Sequence, residues 1–373
     1  MKVMTIVGTR PEIIKLSCVI LELDRAVQHV LVHTGQNYDP NLSRVFFEGM
    51  GLRAPNRSLS AASGTAIGTV ARVLERIDPV LAAERPDAVL ILGDTNSCLA
   101  AIAAKRRRIP VFHMEAGNRS FDERVPEEVN RRILDHISDI NMPYTEHARR
   151  NLLAEGVRPE TVIKTGSPMK QVLASQAAAI DASKVLTRLG LERGRYFVAS
   201  SHREETVDDP RRLALLLESL AALRRRYRLP VVFSTHPRTR ARLGKGRHRS
   251  TGIRFLRPLG FADYVCLQRN AFCVVSDSGT LTEEASILGF PAVMVRESHE
   301  RPEGMDEGTL IMAGLRPADV LRSVRTITER YKRLGKAFRI HADYDIDDVA
   351  SKVVNIILSY TGYVNRVVWR RSG

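Results

Sequence analysis

Short apolar runs alternate with amphipathic segments along almost the whole chain, and this rhythm restricts the fold more than any other feature. Runs typical of strands occupy residues 3–7, 30–33, 88–92, 111–113, 140–142 and 162–164. Helical periodicity fills the intervals, at residues 13–23, 66–83, 98–105, 127–137 and 146–154. Strands that alternate with helices in this way form parallel sheets with helices on both faces. The first half is therefore predicted to be an α/β unit.

The same rhythm starts again after a polar and alanine-rich helical region that runs from Pro168 to about Gly194. Its apolar runs are residues 196–200, 231–235, 253–255, 272–275 and 292–295, and the last periodic segment, 349–360, is predicted to be a helix. A chain of 373 residues is also long for one domain. We predict two Rossmann-like α/β/α domains, residues 1–170 and 171–349, with the segment from about 350 to 373 packing back on the first.

The formal net charge of +15 raises the question of a nucleic-acid partner. No basic tail, zinc finger or strand with interleaved aromatic residues supports such a partner. The arginine groups are spread over predicted surface helices, at residues 106–108, 131–132, 149–150 and 224–226. We therefore predict no nucleic-acid partner, and the positive field would instead attract an anionic nucleotide substrate or a membrane surface.

No segment predicts secretion or membrane insertion. The first eight residues are typical of a strand rather than of a signal peptide, and no apolar run approaches the ~20 residues that span a bilayer. The four cysteines stand singly, which fits a reducing cytoplasm. The chain also lacks a metal-ligand cluster and the dinucleotide, Walker A and serine-hydrolase motifs. We expect a cytoplasmic protein that needs no metal or cofactor.

The run Asp277-Ser278-Gly279-Thr280 follows the apolar residues 272–275 directly and precedes Glu283-Glu284. A strand, a turn of small residues and a helix are predicted here. The free N–H groups and the positive dipole end of such a helix can bind phosphate. A carboxylate one turn further on can accept hydrogen bonds from ribose hydroxyls. The pattern indicates a nucleoside-diphosphate site, although an ordinary capped helix has the same sequence signature.

Most other polar clusters also follow predicted strands. Asp94 and Glu115 end successive strands, so we expect them to converge, and several carboxylates in one dry cleft can divide into an acid and a base. Glu127 follows Pro126 at a predicted helix start, where pairing with the helix dipole explains it equally well. His202 follows a strand of the second half, but it could also serve as a helix cap. The cations available to balance carboxylates and phosphate are Arg10, Lys15, His202, Arg203 and Arg301.

Taken together and in order, these motifs resemble the non-hydrolysing UDP-N-acetylglucosamine 2-epimerases over essentially the whole chain. The matching motifs are residues 8–12 with Lys15, 93–95, 115–117, 126–128, 201–203, 277–279 with Glu283-Glu284, and 300–303. The resemblance implies a GT-B fold, in which two Rossmann-like domains with parallel sheets face an interdomain cleft. It also implies a UDP-sugar substrate and, commonly for the family, a homodimer.

The resemblance assigns roles to particular residues. It makes Asp94, Glu115 and Glu127 the acid/base and sugar-positioning residues. Arg10, Lys15 and His202 would hold the pyrophosphate or stabilise departing UDP, and Ser278, Gly279 and Thr280 would bind phosphate. Glu284 would bind the ribose, Arg301 would reach the nucleotide or sugar, and Tyr264 would border the uracil. The chemistry is elimination of UDP to a 2-acetamidoglycal, followed by re-addition with the proton delivered to the other face of C2.

Within the family, residues 115–122, 234–240 and 360–369 are similar to the UDP-N-acetyl-L-fucosamine synthases. That branch converts UDP-2-acetamido-2,6-dideoxy-β-L-talose for capsule or O-antigen synthesis. Asn118 stands where the N-acetylglucosamine enzymes usually have leucine, and we hypothesise that it contributes to sugar selection. The alternatives are a UDP-N-acetylglucosamine 2-epimerase, a UDP-sugar glycosyltransferase of the same fold, and a catalytically inert binding module.

Overall fold

The computed structural model describes residues 1–36, 46–243, 252–335 and 339–371. The chain forms two compact units. The first unit comprises Met1–Ser175 together with Asp343–Gly373, and the second comprises Gln176–Ala342.

The first unit is built on a six-stranded sheet of parallel strands. The strands are β1 Lys2–Val7, β2 Gln28–His33, β3 Arg57–Ser58, β4 Ala88–Leu92, β5 Val111–Met114 and β6 Ile140–Met142. Their order across the sheet is β3-β2-β1-β4-β5-β6, which is the order of dinucleotide-binding Rossmann sheets. The helices of this unit are Arg10–Ala26, Ala66–Glu84, Ala101–Arg106, Pro126–Ile137, Glu146–Ala154, Met169–Ser175 and Val349–Val367.

The central strands of this sheet are buried and largely apolar because helices cover both of its faces. Every residue of Ala88–Leu92 is buried, as is every residue of β1 after Lys2. The core between the sheet and the helix Ala66–Glu84 contains Val73, Ile77 and Leu81, which recur at helical spacing. The sequence rhythm therefore reflects burial on both faces.

The second unit repeats the architecture. Its strands are β7 Phe197–Ser201, β8 Val231–Thr235, β9 Ile253–Leu256, β10 Cys273–Ser276, β11 Ala292–Met294 and β12 Ile311–Met312. They pair in parallel in the order β12-β11-β10-β7-β8-β9, the same Rossmann order traced from the other edge. The helices are Ala177–Asp181, Val185–Leu189, Glu204–Val207, Pro210–Tyr227, Pro237–Leu243, Phe261–Arg269, Leu281–Leu288, Glu303–Asp306 and Pro317–Leu334. The predicted fold class, two Rossmann-like halves with parallel sheets, is confirmed.

Two local predictions were wrong, and two short strands were missed. Residues 162–164 are not a strand, since Val162 makes only a single bridge to Asn141. The helical region predicted up to Gly194 is divided into short helices, of which Val185–Leu189 ends at Gly190 in the left-handed conformation. The strands β3 and β12 were not predicted, because two residues are too few to show a period.

Among the described residues, no helix combines the length and the apolar character that crossing a membrane would require.

Candidate functional site

In both sheets the strand order reverses between two central strands, and ligands of such folds bind beyond the carboxyl ends of the strands at this switch point. In the first unit the reversal lies between β1 and β4, and in the second it lies between β7 and β10. The predicted residues Arg10 and Asp94 follow β1 and β4, whereas His202 and Ser278 follow β7 and β10. Each unit therefore presents its polar residues at the edge where this fold binds ligands.

Glu115 and Lys15 form an ion pair at the carboxyl edge of the first sheet. The Lys15 Nζ lies 2.7 Å from Oε2 of Glu115, and the side chains are only 6% and 13% exposed. Glu115 follows β5 and has a φ of +62°, a left-handed conformation that costs a non-glycine residue energy. This strained backbone is a feature that clusters at functional sites. The structure thus joins two predicted site residues from distant parts of the chain.

The loop that carries Asp94 lies beside Glu115 at this edge. A Cβ placed on Gly93, the residue before Asp94, would lie 3.8 Å from Oε2 of Glu115. The Asp94 carboxylate accepts a hydrogen bond of 2.7 Å from Nε of Arg131, and Arg131 also donates to Glu128 at 2.7 Å. The Asp94 loop and Glu115 are therefore neighbours, and each of the two predicted carboxylates pairs with a different cation.

Arg131 corrects the sequence interpretation. The sequence predicts that it lies on the solvated face of a surface helix, but Arg131 is only 4% exposed and contacts Asp94 directly. The sequence does contain a signal for this position. Arg131 follows Glu127 by four residues and Glu128 by three, and residues at these spacings share a helix face.

Glu127 and Arg10 occupy less informative positions. Glu127 is half-buried in the first turn of the helix Pro126–Ile137, so pairing with the helix dipole still explains it. Arg10 begins the helix Arg10–Ala26, is exposed, and its guanidinium lies 5.3 Å from the centre of the Phe46 ring. Their predicted roles stay predictions.

Glu12 is a buried carboxylate that the sequence analysis did not assign. It accepts hydrogen bonds from the backbone N–H groups of Gly8 and Thr9, at 2.9 and 2.6 Å, and from the Thr95 hydroxyl at 2.9 Å. Burial raises the pKa of Glu12, although these hydrogen bonds act in the opposite direction. Glu12 thereby ties the loop after β1 to the loop after β4 at the switch point.

Asp277 organises the switch point of the second unit. It is fully buried and accepts hydrogen bonds from the Ser201 hydroxyl at 2.6 Å and from the N–H groups of His202 and Arg203 at 3.0 and 3.1 Å. Burial alone would raise the pKa of Asp277, but His202 and these donors outweigh it and lower the pKa to about 2. The His202 Nδ1 lies 3.2 Å from the carboxylate, and the ring is 40% exposed. Asp277 therefore fixes His202 while leaving it accessible.

The loop of Ser278, Gly279 and Thr280 precedes the helix Leu281–Leu288, with Thr280 as its N-cap. Among the described residues, the backbone N–H groups of Gly279 and Thr280 have no acceptor. Free N–H groups at a helix N-terminus make the loop a site for an anion.

Two guanidinium groups flank this loop. A Cβ on Gly279 would lie 3.5 Å from Nη2 of Arg203 and 3.8 Å from Nε of Arg301. Arg203 pairs with Glu300 at 3.0 Å, and Arg301 pairs with Glu283 at 2.9 Å. The structure thus places the predicted residue Arg301 and the cation Arg203 beside the predicted phosphate loop, each oriented by a buried carboxylate.

Glu284 lies on the helix that follows this loop, and Tyr264 lies on the helix Phe261–Arg269, which precedes β10. Glu284 is 7% exposed and accepts a hydrogen bond of 2.6 Å from Nε2 of Gln268, a buried partner that the sequence analysis missed. The Tyr264 hydroxyl lies 3.0 Å from Oγ of Ser200, at the end of β7. In the described part of the chain, no group of three His, Cys, Asp or Glu side chains is arranged to hold a metal ion.

The strand order alone places each unit among the nucleotide-binding α/β folds, and the comparisons with known proteins define the family. The family model described as UDP-N-acetylglucosamine 2-epimerase matches residues 20–358. The structure of a UDP-N-acetylglucosamine 2-epimerase from Rickettsia bellii is 51% identical over 100% of both chains, with a TM-score of 0.93. The Methanocaldococcus jannaschii enzyme, solved in complex with UDP-GlcNAc and UDP, is 32% identical over 96% of this chain and 100% of its own, with a TM-score of 0.90.

A further relative has a different substrate. The UDP-2,3-diacetamido-2,3-dideoxy-D-glucuronate 2-epimerase of Pseudomonas aeruginosa strain PAO1 is 35% identical over 87% of this chain and 92% of its own. The chain belongs to the UDP-N-acetylglucosamine 2-epimerase family. It is a non-hydrolysing isomerase that acts at C2 of a UDP-N-acetylhexosamine. The predicted family is confirmed, and the particular sugar stays a prediction.

Proposed function

We propose that the enzyme converts UDP-2-acetamido-2,6-dideoxy-β-L-talose to UDP-N-acetyl-L-fucosamine by eliminating UDP and adding it back. The observation that carries the mechanism is a pair of carboxylates at the ends of neighbouring strands with separate cations, Glu115 with Lys15 and Asp94 with Arg131. The proposed chemistry needs one group to remove a proton and another to deliver one, and these two carboxylates could supply both.

The C2 hydrogen has no neighbouring carbonyl group to make it acidic, so its removal is coupled to the loss of UDP. Two carboxylates are needed because the proton leaves one face of C2 and returns to the other. In the forward half, a carboxylate accepts the C2 proton while the C1–O bond breaks and the electron pair leaves with UDP. The C1=C2 double bond of the 2-acetamidoglycal results. In the reverse half, UDP attacks C1 and the second carboxylate delivers a proton to the opposite face of C2. Asp94 and Glu115 are the proposed acid/base pair, and Glu127 is a third candidate near the sugar.

The second unit supplies the proposed nucleotide site. Ser278, Gly279 and Thr280 would bind the pyrophosphate through N–H and hydroxyl donors, since two N–H groups of this loop have no acceptor among the described residues. Arg301 and His202 would stabilise the negative charge that develops on departing UDP.

The remaining contacts of the nucleotide are proposed for residues around this loop. Glu284 would accept hydrogen bonds from the ribose and Tyr264 would border the uracil. Arg10 and Lys15, from the first unit, are the further cations proposed for the pyrophosphate.

Asn118 supports the choice of a 6-deoxy sugar. It lies three residues after Glu115 and is 9% exposed, between Gly117 and the buried Arg119. An amide at a position where relatives usually carry leucine would offer hydrogen-bonding groups to the sugar in place of an apolar side chain. The alternative substrate is UDP-N-acetylglucosamine, which is favoured by the name of the Rickettsia bellii enzyme at 51% identity.

The proposal includes the cellular setting implied by the same resemblance. The enzyme would be a cytoplasmic homodimer that makes a sugar-nucleotide precursor of capsule or O-antigen polysaccharide.

An NMR time course in D₂O with each UDP-sugar in parallel tests the proposal. Deuterium at C2 of the fucosamine product, without exchange in UDP-N-acetylglucosamine, is the expected result. Exchange only in the glucosamine substrate would establish the alternative, and exchange in neither would contradict an epimerase acting on these sugars. An Asn118→Leu variant tests the role of Asn118. It should lose the preference for the 6-deoxy sugar, while its UDP affinity should stay that of the wild type.

A further inference from the structure

We infer that Asp135 and His113 are positioning residues that hold Glu115 and Asp94 in place relative to each other. The inference rests on the proposed function of those two carboxylates. Neither Asp135 nor His113 belongs to the predicted site, and both are buried, at 1% exposure each.

Asp135 binds the Glu115 segment on both sides of its strained residue. Its carboxylate accepts hydrogen bonds from the Gly117 N–H at 3.1 Å and from Nη1 of Arg119 at 2.7 Å. The same carboxylate lies 3.0 Å from Nδ1 of His113, two residues before Glu115. A residue at a φ of +62° persists only where its surroundings determine the backbone. One buried carboxylate therefore holds this turn from the helix Pro126–Ile137.

His113 extends this hold to the Asp94 loop. Its Nε2 lies 2.8 Å from the carbonyl oxygen of Gly93, the residue directly before Asp94. The backbone of Gly93 also donates to the Met114 carbonyl at 2.9 Å, so the ends of β4 and β5 are joined twice. Because Asp94 follows Gly93, the His113 contact constrains where its carboxylate can lie relative to Glu115.

Both ring nitrogens of His113 face oxygen acceptors, a carboxylate and a carbonyl. A neutral imidazole carries only one N–H, so the charged ring alone has a proton toward each oxygen, and the negative charge of Asp135, 3.0 Å from Nδ1, favours that form. Burial opposes the charged ring, but Asp135, the Gly93 carbonyl and Asp94 together outweigh burial and raise the pKa of His113. The other charges of this network are Asp94, which acts on His113, and Arg119, which pairs with Asp135 and with Glu155.

His113→Gln is the primary test. A glutamine amide has nitrogen at one end and oxygen at the other, so it cannot donate toward both acceptors as a charged imidazole can. We expect kcat to fall by about 10²-fold, the scale of a displacement of about 1 Å, with KM and UDP affinity unchanged. Glu155→Gln is the matched control, since it weakens the outer end of the network and leaves Asp135, His113 and Gly93 joined. Its kcat should stay close to that of the wild type. Equal losses in both variants, or a His113→Gln loss explained by the unfolded fraction, would overturn the inference.

A spectroscopic measurement on the wild-type enzyme is independent of folding defects in variants. Nitrogen-15 NMR of labelled histidine should show both His113 nitrogens protonated above the pH at which an exposed histidine becomes neutral, with His113→Gln used to assign the signal. A neutral His113 at that pH would overturn the inference. The charge of His113 tests the positioning inference separately from the proposed function. Absence of C2 exchange in both UDP-sugars would contradict the proposed function and leave the NMR test of His113 valid.

Discussion

The Lys15 ammonium lies 2.7 Å from the Glu115 carboxylate although one hundred residues separate them in the chain. Lys15 is on the helix that follows β1, and Glu115 follows β5. Both side chains are largely buried, so the pair interacts in a medium where charges attract strongly and where an unpaired charge is costly. The pair therefore holds the Glu115 carboxylate in a defined position at the carboxyl edge of the first sheet.

Glu115→Gln should lower kcat by roughly 10²–10⁴-fold while leaving UDP affinity nearly intact, because glutamine cannot exchange the proton. The C2 deuterium assay measures the first quantity, and calorimetric titration with UDP measures the second. Asp94→Asn should behave in the same way.

The Glu115→Gln substitution also removes the negative charge that pairs with Lys15, and breaking a buried ion pair destabilises a fold. Urea unfolding of each variant is therefore the control. Normal turnover in a folded variant would remove that carboxylate from the proposed pair.

Glu284→Ala should weaken UDP binding by about 10- to 100-fold, the scale of a lost hydrogen bond to a charged group. The structural complication is the 2.6 Å hydrogen bond that Glu284 accepts from Gln268. Gln268→Met removes that bond and keeps the Glu284 carboxylate. If both variants bind UDP with the affinity of the wild type, the ribose assignment is wrong. A loss confined to Glu284→Ala supports it.

Gly117→Ala should destabilise the first unit far more than Gly156→Ala. Both glycines have a positive φ, of +81° and +83°, so the backbone penalty of about 1–2 kcal/mol is shared. A Cβ at Gly117 would lie 2.2 Å from the Ala148 carbonyl oxygen, whereas a Cβ at Gly156 meets nothing within 4 Å. Overpacking against backbone adds about 1–3 kcal/mol. Equal urea midpoints for the two variants would contradict this account of the turn.

Asp277 should make the free energy of unfolding of the second unit decrease at acidic pH. Its pKa in the folded protein, about 2, is below the ordinary value of 3.8, so its stabilisation is complete above that value. The stabilisation declines as the pH falls toward 2, by about 1 kcal/mol between about pH 5 and pH 3.

Urea unfolding at a series of pH values measures this dependence. Asp277→Asn is the comparison that isolates it from the other carboxylates. A variant with the same acid dependence as the wild type would show that Asp277 is not held in its ionised form.

The sequence determined which segments form strands and helices, because burial on both faces of a parallel sheet leaves a periodic apolar signal in each segment. It also identified the polar residues that follow those strands, since turn and cap residues are local features. Asp94, Glu115 and the loop at Ser278 were found in this way.

Only the tertiary structure decided which of these residues are partners. The strand order places β1 beside β4 and β4 beside β5, so Lys15 reaches Glu115 and Arg131 reaches Asp94 across distances that no local pattern encodes. Arg131 and Asp135 were not predicted because a buried charge on a helix has the same sequence signature as a solvated one. The difference between them is made by partners brought close through the packing of the sheet.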